Sequence, residues 1–119
     1  MLRSERDGPV AILTLDDPER RNPMSLETMR SLAEAVAAAT VDDDVRVIVI
    51  TGAGEKAFSA GGDLSGRFVD APLADHDTRG VLADLFRALR RCGKPVIARV
   101  NGHAIAGGFG LAAACDIVI

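Results

Sequence analysis

Apolar and polar positions along the chain switch between two periods, and the switches mark out its elements. Val10 to Leu15 is an apolar, partly β-branched run set between Gly8-Pro9 and Asp16-Asp17-Pro18, which predicts a strand bounded by turn formers. Both of its faces are apolar, so cover on both sides is expected. The polar segment Pro18 to Pro23, holding Arg20 and Arg21, gives way to helical spacing. Behind Ser25, a good N-cap, Leu26, Met29, Ala33 and Val36 fall on one face, and the stripe ends near Thr40. Asp42-Asp43-Asp44 reads as a solvated loop. Val45 to Thr51 is then almost continuously β-branched, the pattern of a parallel strand buried on both faces. Strand, helix and strand in this order predict a right-handed crossover unit.

The second half repeats the alternation. Gly52-Ala53-Gly54 breaks the strand, and residues 65–79, where Gly66 to Thr78 shows no clear period, are expected to form a mobile loop. Val81, Leu82, Leu85, Phe86 and Leu89 predict an amphipathic helix. Arg87, Arg90, Arg91 and Lys94 crowd its C-terminal end, where cations oppose the helix dipole, and Gly93 with Pro95 stops it. Pro95 to Val100 is the next strand, Asn101-Gly102 turns it, and Gly107 to Ala114 is a helix of small residues. Asp116-Ile117-Val118-Ile119 looks like the opening of a buried strand, so the domain that fills residues 1–119 is expected to be truncated.

Composition narrows the class. A chain of 119 residues with 48% hydrophobic residues suits one domain with a real core. The formal net charge of -3 and the 3% aromatic content argue against nucleic acid, which needs clustered cations or stacking platforms. Cys92 and Cys115 form no C-x-x-C pair and no framework, so a reduced, cytoplasmic setting with both packed as small hydrophobes is expected. No run approaches the roughly 18 apolar residues of a membrane span, and Met1 to Pro9 is too charged for a signal peptide. No metal site is expected.

Two glycine turns carry the candidate chemistry: Ala57-Phe58-Ser59-Ala60-Gly61-Gly62-Asp63-Leu64, and Asn101-Gly102-His103-Ala104-Ile105-Ala106-Gly107-Gly108-Phe109-Gly110. Each follows an apolar run and leads toward a helix whose first N–H groups lack partners. Glycine lets a ligand approach, and Asp63 is a plausible cap for a short helix. Two N–H donors meeting on one carbonyl oxygen form an oxyanion hole, worth about 10²- to 10³-fold in rate per donor. The competing reading is that the glycines serve only tight turns and close helix packing.

Taken together with Ala114-Cys115-Asp116-Ile117, Leu15-Asp16-Asp17-Pro18 and Arg21-Asn22, the two turns resemble the signatures of the crotonase family of enoyl-CoA hydratases and isomerases. The resemblance implies an α/β fold, a spiral of ββα units, assembled into trimers or hexamers that bind acyl-CoA thioesters, with no further cofactor. It puts the oxyanion donors on the backbone of Gly62 and Gly107. It also puts an acceptor for the adenine ring at the Ala60 carbonyl, and contacts for phosphate at Lys56 and at Arg20 or Arg21; simple solvation is the alternative for these cations.

The departures from the family are equally informative. Where hydratases carry a catalytic glutamate, two residues after the last glycine of the second turn, this chain has Gly110. The family's second glutamate falls beyond Ile119. Such a chain resembles members that use the second glutamate alone, among them isomerases, and equally substrate-binding or decayed members; by itself it is expected to be a poor catalyst. His103 reads as a turn or packing residue, His76 as solvated, and Asp116 as an anchor for the preceding helix or a neighbouring strand.

Two other classes fit parts of the chain. Gly52-x-Gly54-x-x-Ala57 after a strand satisfies a dinucleotide-binding fingerprint formally, but it needs a helix to start there, which Ser59-Ala60-Gly61-Gly62 interrupts. A non-catalytic or split module pairing with a complementary chain through its last strand is the third reading.

Overall fold

The computed structural model describes residues 1–62 and 72–119. A five-stranded sheet forms its centre, built from β1 (Leu2–Asp7), β2 (Val10–Leu15), β4 (Val47–Gly52), β7 (Val96–Arg99) and β9 (Ile117–Val118) in that spatial order. β1 is antiparallel to β2, and the other neighbours are parallel. Pairing of Asp7 with Val10 leaves Gly8-Pro9 as a two-residue hairpin loop. Gly8 takes φ +57 there, and proline holds a negative φ next to it, the signs of a type II′ turn.

The register explains which residues form the core. Ala11 faces Ile48 and Leu13 faces Ile50, while Ile48 and Ile50 pair with Val96 and Ala98. All six are buried, and they meet Leu32 and Val36 of helix α1 (Leu26–Val41), Leu85 and Leu89 of α2 (Pro72–Arg91), and Leu111 of α3 (Gly107–Ala113). On the opposite face Ile12, Val49 and Ile97, in register, are only half-buried, while Thr14 and Thr51 further along it are buried. Cover on both sides, expected for β2 and β4, is therefore complete on one face and partial on the other. β9 differs in the same way: it pairs as expected, but Ile117 and Val118 are exposed because it lies at the sheet edge.

Ser25 caps α1 as its sequence predicts, its hydroxyl accepting the Thr28 N–H at 3.1 Å. The buried stripe runs through Met29, Leu32, Val36 and Ala39; Ala33 sits at its margin. α2 starts at Pro72, so the expected loop at 65–79 is helix from that point, while its residues 65–71 lie outside the described residues. A proline with its fixed φ is well placed in a first helical turn, a start signal that outweighs the lack of an apolar period.

Lys94 corrects another expectation. Its ammonium does not serve the end of α2 but reaches the end of α1, donating to the Ala39 carbonyl at 2.6 Å and the Asp42 carbonyl at 2.7 Å. It thereby satisfies carbonyls that have no partner within α1. Lys94→Met is expected to lower stability by about 1 kcal/mol, discounted for its partial exposure; chemical denaturation reads the change, and an unchanged midpoint contradicts the capping role.

Among the described residues, no helix is long and apolar enough to cross a membrane.

Candidate functional site

The two glycine turns meet. β5 (Ala57–Ser59) and β8 (His103–Ala104) pair in parallel, Ala57 opposite His103 and Ser59 opposite Ala104. The His103 N–H donates to the Lys56 carbonyl and the Ile105 N–H to the Ser59 carbonyl, each at 3.1 Å. Just beyond, β6 (Gly61–Gly62) pairs with β3 (Pro23–Met24). The Ala60 N–H donates to the Arg21 carbonyl at 2.9 Å, tying the first turn to the Arg20-Arg21-Asn22 segment.

Packing at this joint is so close that glycine is required. A β-carbon on Gly108 would lie 2.4 Å from the Ser59 carbonyl oxygen, and one on Gly61, at φ +90, would lie 3.0 Å from the Gly107 nitrogen. Across the same gap, a β-carbon on Gly107 would lie 3.9 Å from the Gly62 nitrogen. The amides of Gly62 and Gly107 are thus neighbours, although 45 positions separate them along the chain. The glycines therefore serve close packing at this joint, and the same packing sets the backbone of the two turns side by side.

Ala106 aims one of those amides. It adopts φ 52 and ψ -119, a conformation rare outside glycine, costing of order 1–3 kcal/mol. Its carbonyl accepts the Gly110 N–H at 3.1 Å. Because a trans peptide sets C=O and N–H in opposite directions, the Gly107 N–H points out of the first turn of α3, away from the helix body.

Two asparagines hold the frame. Asn22, fully buried at φ 53, accepts the Asp17 N–H and donates to the carbonyls of Ala53 at 3.0 Å and Ala57 at 2.8 Å. Asn101 accepts the Gly52 N–H and donates to the carbonyls of Gly54 and Ala57. Both therefore clamp the segment that enters β5. Sequence reading places Asn22 only among residues of a resemblance and Asn101 only in a turn. Ser59, fully buried, adds a third brace through its hydroxyl, which accepts the Gly61 N–H at 3.1 Å.

The remaining residues divide clearly. Gly110 lies one turn after Gly107, half-buried, with Phe86 of α2 beside it. Lys56 is exposed at the start of the first turn, and Arg20 is exposed and paired with Asp17 at 3.5 Å. His103 is exposed, its backbone rather than its ring tying the two turns. Asp116 anchors a neighbouring strand, accepting the Val96 N–H at 2.8 Å. The cap expected at Asp63 lies outside the described residues. After Gly52-x-Gly54 comes a strand rather than a helix, so the dinucleotide fingerprint lacks its structural context. A groove at the end of α2, lined by Leu89, Arg90, Lys94, Pro95, Asp116 and Ile117 among others, shares no residue with the glycine turns. Among the described residues, no group of three or more His, Cys, Asp or Glu could hold a metal ion.

Cys115 is held as a neutral thiol. Burial pushes its pKa from the ordinary 9.0 up to about 11, with the Asp116 carboxylate adding to the effect, and its thiol donates to the Leu111 carbonyl. At pH 8 its alkylation is expected to be at least about ten-fold slower than that of a free thiol, since thiolate carries the reaction; mass spectrometry after timed alkylation reads it, and free-thiol rates contradict it. Because the folded-state pKa is raised, the corresponding stability is present below pH 9 and is lost as pH rises toward 11.

With this geometry in view, the likeness to known proteins is decisive. The family model described as enoyl-CoA hydratase/isomerase matches residues 5–119. The chain belongs to the enoyl-CoA hydratase/isomerase family. It corresponds to the N-terminal portion of the crotonase fold. Among family members, it is 45% identical over 121 residues to carnitinyl-CoA dehydratase of Salmonella arizonae, an alignment covering 99% of this chain and 44% of that protein. It is 36% identical over 116 residues to short-chain-enoyl-CoA hydratase of Clostridium acetobutylicum, covering 97% of this chain and 44% of that protein. The crystal structure of enoyl-CoA hydratase from Bacillus anthracis superposes with a TM-score of 0.94 at 29% identity, covering 98% of this chain and 46% of that one. The chain thus spans less than half the length of these family members.

Proposed function

We propose that the paired turns bind the carbonyl oxygen of an acyl-CoA thioester, with the backbone N–H groups of Gly62 and Gly107 as its two donors. The observation that carries this reading is the interlock of the turns, which makes those two amides neighbours across a joint too tight for any side chain at Gly108. When a proton leaves the carbon next to the thioester, the electron pair moves onto the carbonyl oxygen and an enolate forms. Two fixed donors stabilise that developing charge more than the ground-state carbonyl, which is how they accelerate the step. CoA lies along the first turn in this reading, its adenine against the Ala60 carbonyl and its phosphates near Lys56 and Arg20.

The whole protein is an enoyl-CoA hydratase or isomerase of fatty-acid metabolism in this reading, working in the cytoplasm as a trimer or hexamer. The base that takes the proton is a carboxylate outside these 119 residues, because Gly110 offers none. The chain alone therefore hydrates enoyl thioesters negligibly. Calorimetry with crotonyl-CoA tests the binding: measurable affinity for the thioester supports it, and no affinity for any CoA thioester overturns it.

One observation favours a second reading, a split module that pairs with a complementary chain: the edge strand β9 exposes Ile117 and Val118, and Ile119 after it is exposed as well. Tight association with such a chain, and no thioester binding by the pair, would support it.

A further inference from the structure

The joint between the two turns imposes both Asn101 and Gly102. The Asn101 carboxamide makes three bonds: its oxygen accepts the Gly52 N–H at 3.0 Å, and its nitrogen donates to the carbonyls of Gly54 at 2.8 Å and Ala57 at 3.0 Å. An aspartate there could accept the first bond but make neither of the others. Gly102 is equally constrained, since a β-carbon on it would lie 2.5 Å from the Lys56 carbonyl oxygen. Together these demands create an Asn-Gly pair, in which the backbone nitrogen after the asparagine has no side chain to shield it. That nitrogen gives up its proton to base and attacks the asparagine Cγ. Ammonia leaves, a five-membered succinimide forms, and water opens the ring to aspartate or isoaspartate.

The bonds that call for the pair also hold it unreactive. Attack needs Cγ to turn its face to the Gly102 nitrogen and become tetrahedral, so the carboxamide must first release its three partners. Both residues are half-buried, so base and water reach them once the turn opens. We propose that Asn101-Gly102 is a site of spontaneous deamidation gated by the paired turns: it converts when they part, and the product keeps them from closing as before. The new carboxylate donates to nothing and stands against the Gly54 and Ala57 carbonyl oxygens, leaving Ala57 with the Asn22 bond alone. Isoaspartate also adds a carbon to the backbone just ahead of β8. None of this depends on the thioester reading.

Intact mass and ion exchange follow the reaction, because conversion adds one acidic group and only Asn101 can supply it. Asn22, the other asparagine, precedes Pro23, whose ring nitrogen cannot close a succinimide, and the sequence holds no glutamine. The purified chain is held at pH 8, folded and, in parallel, unfolded in guanidinium chloride. The folded chain is expected to convert about ten-fold or more slowly than the unfolded one. Gly108→Ala, which forces the joint apart, converts faster than the parent. The converted fraction, separated and returned to native buffer, is expected to melt at least about 5 °C below the parent, as is Asn101→Asp. Equal rates for folded and unfolded chain, or for Gly108→Ala and parent, overturn the gate. No conversion in guanidinium chloride overturns the site, and a converted fraction that melts with the parent overturns its effect on the joint.

Discussion

Gly108→Ala is expected to destabilise the protein by about 3 kcal/mol, a fall of roughly 10–20 °C in Tm for a domain of this size. The added β-carbon would lie 2.4 Å from the Ser59 carbonyl oxygen and 2.8 Å from the Ser59 β-carbon. Neither can give way cheaply: the Ser59 carbonyl takes the Ile105 N–H, its hydroxyl takes the Gly61 N–H, and the residue is fully buried. The chain must separate the two turns or unfold. Gly110→Ala gives the opposite result, a gain of up to about 1 kcal/mol from helix propensity. Thermal unfolding of the pair by circular dichroism decides it, and a Gly108→Ala variant as stable as the parent contradicts the joint.

Gly110→Glu is expected to fold and to raise hydration of crotonyl-CoA about 10²-fold over the unsubstituted chain, the low end of what a positioned general acid–base group contributes. The carboxylate takes a proton from water as its oxygen bonds to the β-carbon. The double-bond electrons pass to the carbonyl oxygen, held by the amides of Gly62 and Gly107, and the proton then returns at the α-carbon. The space beside Phe86 admits the first atoms of that side chain at ordinary contact distance. Loss of the enoyl thioester over time reads the rate. Retained thioester binding with no gain in rate would show that the position does not face the reacting carbons.

The parts of the fold legible in the sequence are those fixed by neighbours along the chain. The β-branched run before Gly52, the apolar run Val10 to Leu15 and the serine ahead of α1 each act through local geometry, and each appears where its pattern places it. β1 has no such pattern. Its residues after Leu2 are charged or polar and exposed, and it is a strand only because β2 supplies a ladder and Gly8-Pro9 the turn. The start of α2 is a different case, since Pro72 is a local signal that stands ahead of a segment with no apolar period. The half-buried positions on the second faces of β2 and β4 are not legible locally, since what covers a face is a property of the assembled chain.

The candidate site divides similarly. That both turns are glycine-rich is plain from the sequence; that they interlock came from a family resemblance, not from any local rule. The asparagine braces were hidden because their bonds reach across the chain, from Asn22 to carbonyls 31 and 35 residues away. Ala106 carries no signal at all: alanine at φ 52 is disfavoured by its own chemistry and is held there by the surrounding bonds.

The most direct test of the paired-turn account is a ¹H–¹⁵N correlation spectrum of the chain titrated with crotonyl-CoA and, separately, with free CoA. If the two turns grip one oxygen, the amide protons of Gly62 and Gly107 move downfield together with the thioester and stay in place with free CoA. Saturable thioester binding that leaves those two resonances unmoved would contradict it.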